Sequence, residues 1–207
     1  MTQRAQQVRA HDRRGRILDA ALRVFAARGY HAASVDEIAA EAATSKGGVY
    51  FHFPGKQALF LALLDWAHHE LRRRVDEAVA GPAAPLEKAD AALRAVMNAF
   101  SGHRRLARIF MIDALGGGKE FHSRVLAIQE EFIALVRALL EEARSAGDVA
   151  PDVDPAIAAR AWFGAVNSVV LGWLTAKSPA SLEQAYRVLR PLIYRSLGAG
   201  EPTEVQR

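Results

Sequence analysis

Cysteine is absent from this chain of 207 residues, and β-branched residues are scarce beside Ala, Leu, Arg and Glu. The missing cysteine excludes disulfide frameworks, thiolate zinc sites and cysteine nucleophiles. Alanine and straight side chains lose little conformational freedom in a helix, so the composition predicts an all-α protein. Because 51% of the residues are hydrophobic, the chain can bury a sizeable core in one large or two small domains.

The sequence also lacks a secretory signal and an apolar run of membrane length. The N-terminal segment MTQRAQQVRAHDRRGR is charged and has no apolar core of a signal peptide. The longest apolar run, from Ala161 to Ala176, contains Asn167 and Ser168 and is shorter than the roughly 20 residues that a membrane span needs. We therefore expect a buried core helix in this run, a cytoplasmic protein, and no membrane among its partners.

Motifs of enzymes and of metal or cofactor sites are missing too. The sequence GGGK at residues 116–119 lacks the first glycine of a P-loop, and Glu120 stands where that motif needs Ser or Thr. His68, His69 and Glu70 lack the second histidine of a zinc-protease helix, and no G-x-S-x-G nucleophile motif occurs. The sequence therefore predicts neither an enzyme nor a bound metal or cofactor.

The positive charge is concentrated at the N-terminus. The formal net charge of the chain is +4, whereas the first 30 residues alone carry seven arginines against two aspartates. Such a surplus is typical of a surface that meets phosphates, although a solvated basic arm without a partner would have the same composition.

Three short helical patterns occupy the first 55 residues. Apolar residues recur at helical spacing from Ile17 to Ala26. The capping-box pair Ser34 and Glu37 begins a second helix, and Ser45 can cap a third helix over residues 46–53. The turn of about four residues between the second and third helices is typical of a helix-turn-helix.

Six further helices are predicted between Gly and Pro breaks, at residues 56–80, 86–101, 103–115, 120–146, 155–176 and 181–197. At 1.5 Å per residue, the helix over residues 56–80 would span roughly 35 Å and could connect two domains. We predict about nine helices in two domains, an N-terminal one at residues 1–55 and a C-terminal one at residues 56–199, followed by a flexible tail at residues 200–207.

Residues 16–59, RILDAALRVFAARGYHAASVDEIAAEAATSKGGVYFHFPGKQAL, closely resemble the DNA-binding domain of the TetR family over its whole length. The marks of the resemblance are the RILDAA opening, the SVDEIA second helix, the SKG-x-x-Y-x-H-F recognition helix and the G-K-x-x-L entry to the next helix. The remainder resembles the family in its number of helices. Membership implies a homodimeric transcription regulator that binds a palindromic operator and senses a small ligand through its C-terminal domain. Repression that the ligand relieves is the default of the family.

The resemblance implies DNA contacts in and around the third helix, from Ser34, Thr44, Ser45, Lys46, Gly47, Gly48, Tyr50, His52 and Lys56. Tyr50, His52 and Lys56 are expected to meet phosphates, while Lys46 could contact a phosphate or a guanine. Helix capping is the alternative role of Ser34. Gly47 and Gly48 allow the backbone to approach DNA closely.

The recognition helix contains inward-facing residues, and it and the turn before it contain one departure each from the family pattern. Val49 and Phe53 are expected to pack inward, and the sequence leaves the direction of Phe51 open. Ala43 replaces the glycine common at the turn, so a left-handed backbone there would be mildly strained. Gly48 stands where the family often has Thr or another small side chain, which removes one expected DNA contact.

Small residues form a stripe along the predicted helix 155–176. They are spaced by four, three and four positions, which permits the close approach of another helix. By resemblance, this helix and the next pair with their symmetry mates in a four-helix bundle, and a contact within one chain is the alternative. The predicted dimer interface comprises Ala161, Ala165, Ser168, Val169, Gly172, Trp173, Leu189, Leu192 and Ile193.

We place the candidate ligand pocket among aromatic and isolated polar residues of the C-terminal domain, namely Trp66, Phe100, Arg104, Phe110, Met111, Asp113, Phe132, Trp162, Phe163 and Asn167. Much of this apolar bulk is ordinary core. Asn167 and Asp113 interrupt apolar stretches and are the expected polar anchors, unless other groups of the protein satisfy them. Arg104 belongs to a basic cluster that could meet an acidic ligand or form a solvated face.

The segment FGAVNSVVLGWL, residues 163–174, is similar to the corresponding helix in TetR-family regulators of fatty-acid metabolism, whose effectors are acyl-coenzyme A thioesters. This similarity implies a fatty acyl-coenzyme A as the effector, and a lipophilic drug or another apolar metabolite is equally compatible. A helical adaptor that binds only protein is the rival from a different class. Fluorescence anisotropy with promoter DNA would separate that adaptor from a regulator.

Overall fold

Helices make up the regular structure of the described residues. The structure is a computed structural model that describes the backbone of residues 2–113 and 118–198 and the side chains of residues 13–112 and 118–198. These ranges contain no strand, and their elements are α1 Thr2–Ala32, α2 Val35–Glu41, α3 Lys46–His52, α4 Lys56–Val79, α5 Pro85–Gly102, α6 Arg104–Arg108, a π-helical turn Ile109–Asp113, α7 Lys119–Ala146, α8 Pro155–Thr175 and α9 Leu182–Arg195. The all-α prediction is confirmed, whereas the tail predicted at residues 200–207 lies outside the described residues.

Side-chain caps fix the starts of the two shortest N-terminal helices. The Ser34 hydroxyl accepts a hydrogen bond from the Glu37 N–H at 3.2 Å, and the Glu37 carboxylate accepts one from the Ser34 N–H at 2.9 Å. This reciprocal pair is the predicted capping box of α2. At the start of α3, Ser45 Oγ accepts a hydrogen bond from the Gly48 N–H at 3.0 Å.

The first compact unit comprises the chain up to His69 together with the segment Arg105–Val125. Phe25, Phe60 and Phe121 are fully buried or nearly so in its core, and the ring centroids of Phe60 and Phe121 lie 4.6 Å apart. Ile109 and Val125 belong to the same core. Residues from the middle of the chain therefore pack into the same core as residues of the N-terminal helices.

The helix predicted over residues 103–115 changes type within the residues that the structure describes. α5 ends at Gly102 and is followed by a non-helical His103, α6 ends at Arg108, and the π-helical turn follows. Ile109 is fully buried, and the next residue, Phe110, packs against the same core. Hydrogen bonds in a π-helix span five residues instead of four, so the wider turn changes the side-chain register relative to an α-helix.

The second compact unit comprises Glu70–Arg104 together with the chain from Leu126 onward. In it, Asp90 of α5 accepts hydrogen bonds from Tyr186 Oη at 2.8 Å and from Arg190 Nε at 3.1 Å, both on α9. The side chains of Arg190 and Asp90 are only 17% and 19% exposed. Tyr194 Oη also donates a hydrogen bond to the Leu86 carbonyl at 2.8 Å. This shielded polar cluster joins α5 to α9.

The boundary between these two compact units does not coincide with the predicted domain division. It falls inside α4, after His69, and the segment Arg105–Val125 groups with the N-terminal helices. The division predicted between residues 55 and 56 stays a prediction.

α8 is covered on one side only. Ala159, Val170 and Leu174 are buried, yet only 22% of its most apolar window is buried within the chain, so the expectation of a buried core helix is wrong for its other side. By length and composition alone, α8 is the one helix of the described residues that could cross a membrane. That is weak evidence for a membrane, because core helices of soluble proteins meet the same criterion.

Candidate functional site

α2, a short turn and α3 form the predicted helix-turn-helix. Residues 42–45 connect the two helices, and the Thr44 N–H donates a hydrogen bond to the Ala39 carbonyl at 2.9 Å. Ala43 has a φ of 50°, which lies in the left-handed region. A side chain makes this conformation unfavourable, so the strain expected at the turn is present.

α3 buries one side and exposes the other. Val49 and Phe53 are 1% and 3% exposed, as predicted. Tyr50 and Phe51 are 45% and 83% exposed. Phe51, whose direction the sequence left open, therefore points into solvent from the recognition helix, and it was missing from the predicted contact set.

Lys46 and Ser34 both have partners within the chain. Lys46 Nζ lies 2.8 Å from Asp36 Oδ2, and this hydrogen bond and the charge of Asp36 raise the pKa of Lys46. The two side chains are 54% and 64% exposed, and such exposed ion pairs contribute little stability, so Lys46 can exchange Asp36 for DNA at small cost. The Ser34 hydroxyl donates a hydrogen bond to the Glu37 carboxylate at 2.9 Å, and this hydrogen bond lowers the pKa of Glu37. Capping is therefore observed for Ser34, and its phosphate contact stays a prediction.

Lys56 lies at the start of α4 against the end of α1. Its Nζ donates hydrogen bonds to the carbonyl oxygens of His31 at 3.1 Å and Ala33 at 3.0 Å, and it lies 4.7 Å from the ring centroid of Tyr30. An ammonium group has three N–H donors. Two of them are used within the chain, and the third, on an ammonium that also lies against the Tyr30 ring, is the one that the predicted phosphate contact would need.

Two arginines of α1 lie beside the end of the recognition helix. The guanidinium carbon of Arg14 is 5.2 Å from the ring centroid of Phe53. Burial, and then the positive charges of Arg13 and Arg14, lower the pKa of the half-buried His52. Both arginines are exposed. The arginine surplus was visible in the sequence, but the place of these arginines on a helix was not. The apolar pattern begins only at Ile17, whereas α1 begins at Thr2.

The predicted dimer residues differ in exposure. The exposed ones are Ala161, Ser168, Gly172 and Leu192, and the half-buried ones are Ala165, Val169 and Trp173. Leu189 and Ile193 are 7% and 5% exposed, so the subunit itself already covers them. Three apolar residues that were not predicted are exposed on the same two helices, namely Ile157 at 69%, Leu171 at 38% and Val188 at 65%.

The predicted pocket residues belong to both compact units. Trp66, Phe110 and Met111 lie in the first unit, and Phe100, Arg104, Phe132, Trp162, Phe163 and Asn167 lie in the second. The side chain of Asp113 lies outside the described residues. A ligand contact from any of these residues stays a prediction.

Arg104 has a well-defined role inside the second unit. Its Nη2 donates hydrogen bonds to the carbonyl oxygens of Trp173 and Leu174, both at 3.2 Å, and its guanidinium carbon lies 4.7 Å from the Trp173 ring centroid. Arginine therefore caps the C-terminal end of α8, where the helix dipole favours a cation.

A surface pocket of about 380 Å³ lies where the connection between α7 and α8 meets the end of α9. It is lined by Arg144, Gly147, Asp148, Val149, Ala150, Pro151 and Gly198. None of the predicted ligand residues lines it, so it is not the predicted ligand site.

Two family models match the chain. Residues 17–63 match the bacterial regulatory proteins of the tetR family, and residues 82–197 match the tetracyclin repressor-like C-terminal domain. The fatty acid metabolism regulator protein of Bacillus subtilis is 23% identical over 158 residues, which are 76% of this chain and 81% of that protein. The HTH-type transcriptional regulator EthR of Mycolicibacterium smegmatis is 32% identical over 147 residues, which are 70% of this chain and 67% of that protein.

A solved structure supports the same fold. The transcriptional regulator FadR from Bacillus subtilis, in complex with stearoyl-CoA, superposes with a TM-score of 0.80 at 22% identity over 86% of this chain and 96% of that one. The C-terminal family model alone covers more than half of the chain. The matched proteins are DNA-binding transcription regulators, which are not enzymes. The chain belongs to the TetR family of bacterial regulatory proteins.

Proposed function

We propose that the protein is a cytoplasmic repressor that binds a palindromic operator as a homodimer and leaves it when a small apolar effector binds, with a fatty acyl-coenzyme A as the first candidate. The observation that most strongly supports DNA binding is that α3 of a helix-turn-helix has an exposed face. Lys46 and Tyr50 are exposed on α3, and Arg13 and Arg14 lie beside its end. Cationic side chains around a recognition helix neutralise phosphates and fix the position of the helix on the duplex.

The uncovered faces of α8 and α9 support the homodimer. Ile157 and Leu171 are exposed on α8, and Val188 and Leu192 are exposed one helical turn apart on α9. Exposed apolar side chains on two neighbouring helices favour an interaction with another molecule, and a second copy with the same surface would cover them in a two-fold arrangement. Gly172 would permit close approach of the partner helix, because a Cβ added there would meet nothing within 4 Å beyond the adjacent residues and the backbone of its own helix.

Three similarities support an acyl-coenzyme A effector. Residues 163–174 are similar to the corresponding helix of fatty-acid regulators, and a relative of 23% identity is a fatty acid metabolism regulator. A protein of the same fold is described in complex with stearoyl-CoA. Half-buried Phe100, Phe132 and Phe163 supply apolar surface for an acyl chain. A lipophilic drug or another apolar metabolite would use the same residues.

Release from DNA would work through population shift. Two recognition helices must meet half-sites about one helical turn apart or a multiple of it, so a conformation with another spacing binds the operator poorly. A ligand that prefers such a conformation lowers operator affinity by its differential affinity alone, and the operator weakens the ligand equally. The expected coupling is about 1 to 3 kcal/mol. α4 is the expected link because the boundary between the two compact units falls within it.

Fluorescence anisotropy tests the proposal. The full-length protein is titrated onto labelled duplexes from the region upstream of its own gene, and the complex is then titrated with long-chain acyl-coenzyme A or free coenzyme A. We expect salt-dependent specific binding that long-chain thioesters reverse and free coenzyme A does not, because only the thioester carries an apolar chain. Failure of every thioester overturns the effector alone, whereas failure to bind any upstream duplex overturns the regulator.

A further inference from the structure

Phe51 is the most exposed large apolar side chain among the described residues. Its side chain is 83% exposed, whereas the next, Ile157, is 69% exposed. Burying an apolar side chain is favourable, so a phenyl ring held in water on a functional helix indicates a surface that another molecule completes.

The position of Phe51 on α3 limits what that molecule is. Two positions along a helix turn a side chain by about 200°, so Phe51 faces away from the buried Val49 and occupies the outermost line of α3. Gly47 lies four residues earlier on the same line and is exposed. A molecule that binds the exposed face of α3 would therefore contact Phe51 and Gly47. Because Gly47 has no side chain, that molecule could approach the helix closely.

The neighbouring charges indicate a polyanion as the partner. Lys46 is exposed at the start of α3. The guanidinium carbon of Arg14 lies 5.2 Å from the ring centroid of Phe53, two residues after Phe51, so a cation lies near this end of the helix. An exposed apolar ring on a helix with a cationic side chain near each end fits a surface that is negatively charged at its edges and apolar at one point.

In duplex DNA that point is the C5-methyl group of thymine. A phenyl ring has no hydrogen-bond donor or acceptor, so it distinguishes base pairs in the major groove only by apolar contact, and thymine alone among the four bases presents a methyl group there. We propose that Phe51 is a specificity-determining residue that selects thymine at one position of each operator half-site through its methyl group. This inference rests on the DNA binding proposed above.

Base analogues test the proposal at a single methyl group. An operator duplex is first selected from a randomised pool by the full-length protein, and each thymine in a half-site is then replaced in turn by uracil, which lacks only the methyl. We expect one thymine per half-site whose replacement weakens binding about fourfold, the value for one buried methyl-sized group. Phe51→Ala should bind the thymine and uracil duplexes equally at that position, and Phe51→Leu should keep part of the difference.

Cytosine and 5-methylcytosine separate the methyl group from the hydrogen-bonding edge of the base. At the same position the wild type should prefer 5-methylcytosine to cytosine by a similar factor, and Phe51→Ala should show no preference. Because Phe51 is exposed, both variants should keep the helical circular dichroism and the salt slope of non-specific binding. An equal loss on uracil replacement in wild type and Phe51→Ala overturns this inference alone, whereas a pool that yields no enriched duplex overturns DNA binding with it.

Discussion

Ala43 holds a left-handed backbone conformation, with a φ of 50°, in the turn between α2 and α3. An L side chain costs roughly 1 to 2 kcal/mol there, and glycine avoids this cost while adding about 0.4 to 1 kcal/mol of entropy to the unfolded chain. Ala43→Gly should therefore raise the free energy of unfolding by about 0.5 to 1 kcal/mol in urea denaturation. Ala40→Gly, at an exposed helical position of α2, should lower it by a similar amount. A loss of stability in both variants would contradict the strain at Ala43.

Lys56 combines an internal role with a predicted phosphate contact. Lys56→Ala removes the donor from the carbonyl oxygens of His31 and Ala33, so the free energy of unfolding should fall by about 1 kcal/mol. It should also weaken specific and non-specific DNA binding together and lower the log–log salt slope by about one. Lys177→Ala, an exposed lysine on the loop after α8, should leave the slope unchanged. A lower stability with an unchanged slope would leave Lys56 with its internal role only.

His52 should make DNA binding depend on pH. In the free protein its pKa is lowered from 6.5 by burial and then by Arg13 and Arg14, so the imidazole is neutral at pH 7. A bound phosphate would raise the pKa, and binding would take up a proton between the two values. Affinity should therefore rise as the pH falls through the pKa of the complex and level off below the pKa of the free protein, by at most about tenfold per pH unit for each proton.

Anisotropy titrations from about pH 8 to about pH 5 measure this dependence around the histidine range. His52→Gln should flatten the profile, and His69→Gln, at an exposed position on α4, should retain it. Identical profiles for wild type and His52→Gln would remove the phosphate contact of His52.

At the scale of helices, the ion pair between Asp90 and Arg190 fastens α5 to α9. Asp90→Ala leaves a largely shielded guanidinium without its carboxylate, so the free energy of unfolding should fall by about 3 kcal/mol. Glu130→Ala is the matched control, because it removes an Arg160–Glu130 pair whose side chains are 61% and 56% exposed, and it should cost under about 1 kcal/mol. Equal losses in urea denaturation would show that shielding does not distinguish the two pairs.

Helix positions could largely be predicted because their signals are local. α7 and α8 differ from their predicted bounds by a single residue at one end. Gly147 ends α7 and Pro155 begins α8 through the backbone preferences of these two residues themselves. The arginine-rich start of α1 has no apolar spacing that would reveal a helix, so its beginning at Thr2 was missed. The π-helical turn depends on how Ile109 and Phe110 pack against distant residues, which periodicity does not report.

The candidate site was predictable in composition but not in detail. The turn and capping residues Ala43 and Ser34 behave as their local chemistry indicates. In a seven-residue helix, alternating apolar residues do not decide which of them faces outward, so Phe51 was left open. The pairing of Lys46 with Asp36 depends on the approach of α3 to α2, which composition cannot supply.

For the whole molecule, the proposed dimer can be tested without disturbing the subunit. Gly172→Leu adds bulk on the exposed face of α8, where an added Cβ meets nothing within 4 Å beyond the adjacent residues and the backbone of its own helix. It should give a monomer in analytical ultracentrifugation with weak operator binding, because the two recognition helices lose their fixed spacing. Ala134→Leu adds similar bulk at an exposed position on α7 and should leave a dimer. A stable, fully active dimer of Gly172→Leu would exclude this face as the subunit contact.

The N-terminal helices share a core with Ile109, Phe121 and Val125, so this core can be completed only after those later residues have been synthesised. The ribosome makes α1 to α4 first, and the chain up to Val125 then takes about 2 to 9 s more. During that interval Phe60 has no Phe121 ring to pack against. The DNA-binding helices therefore complete their core well after they have been translated, and a nonsense codon just after α4 would release them with an apolar surface open to chaperones and proteases.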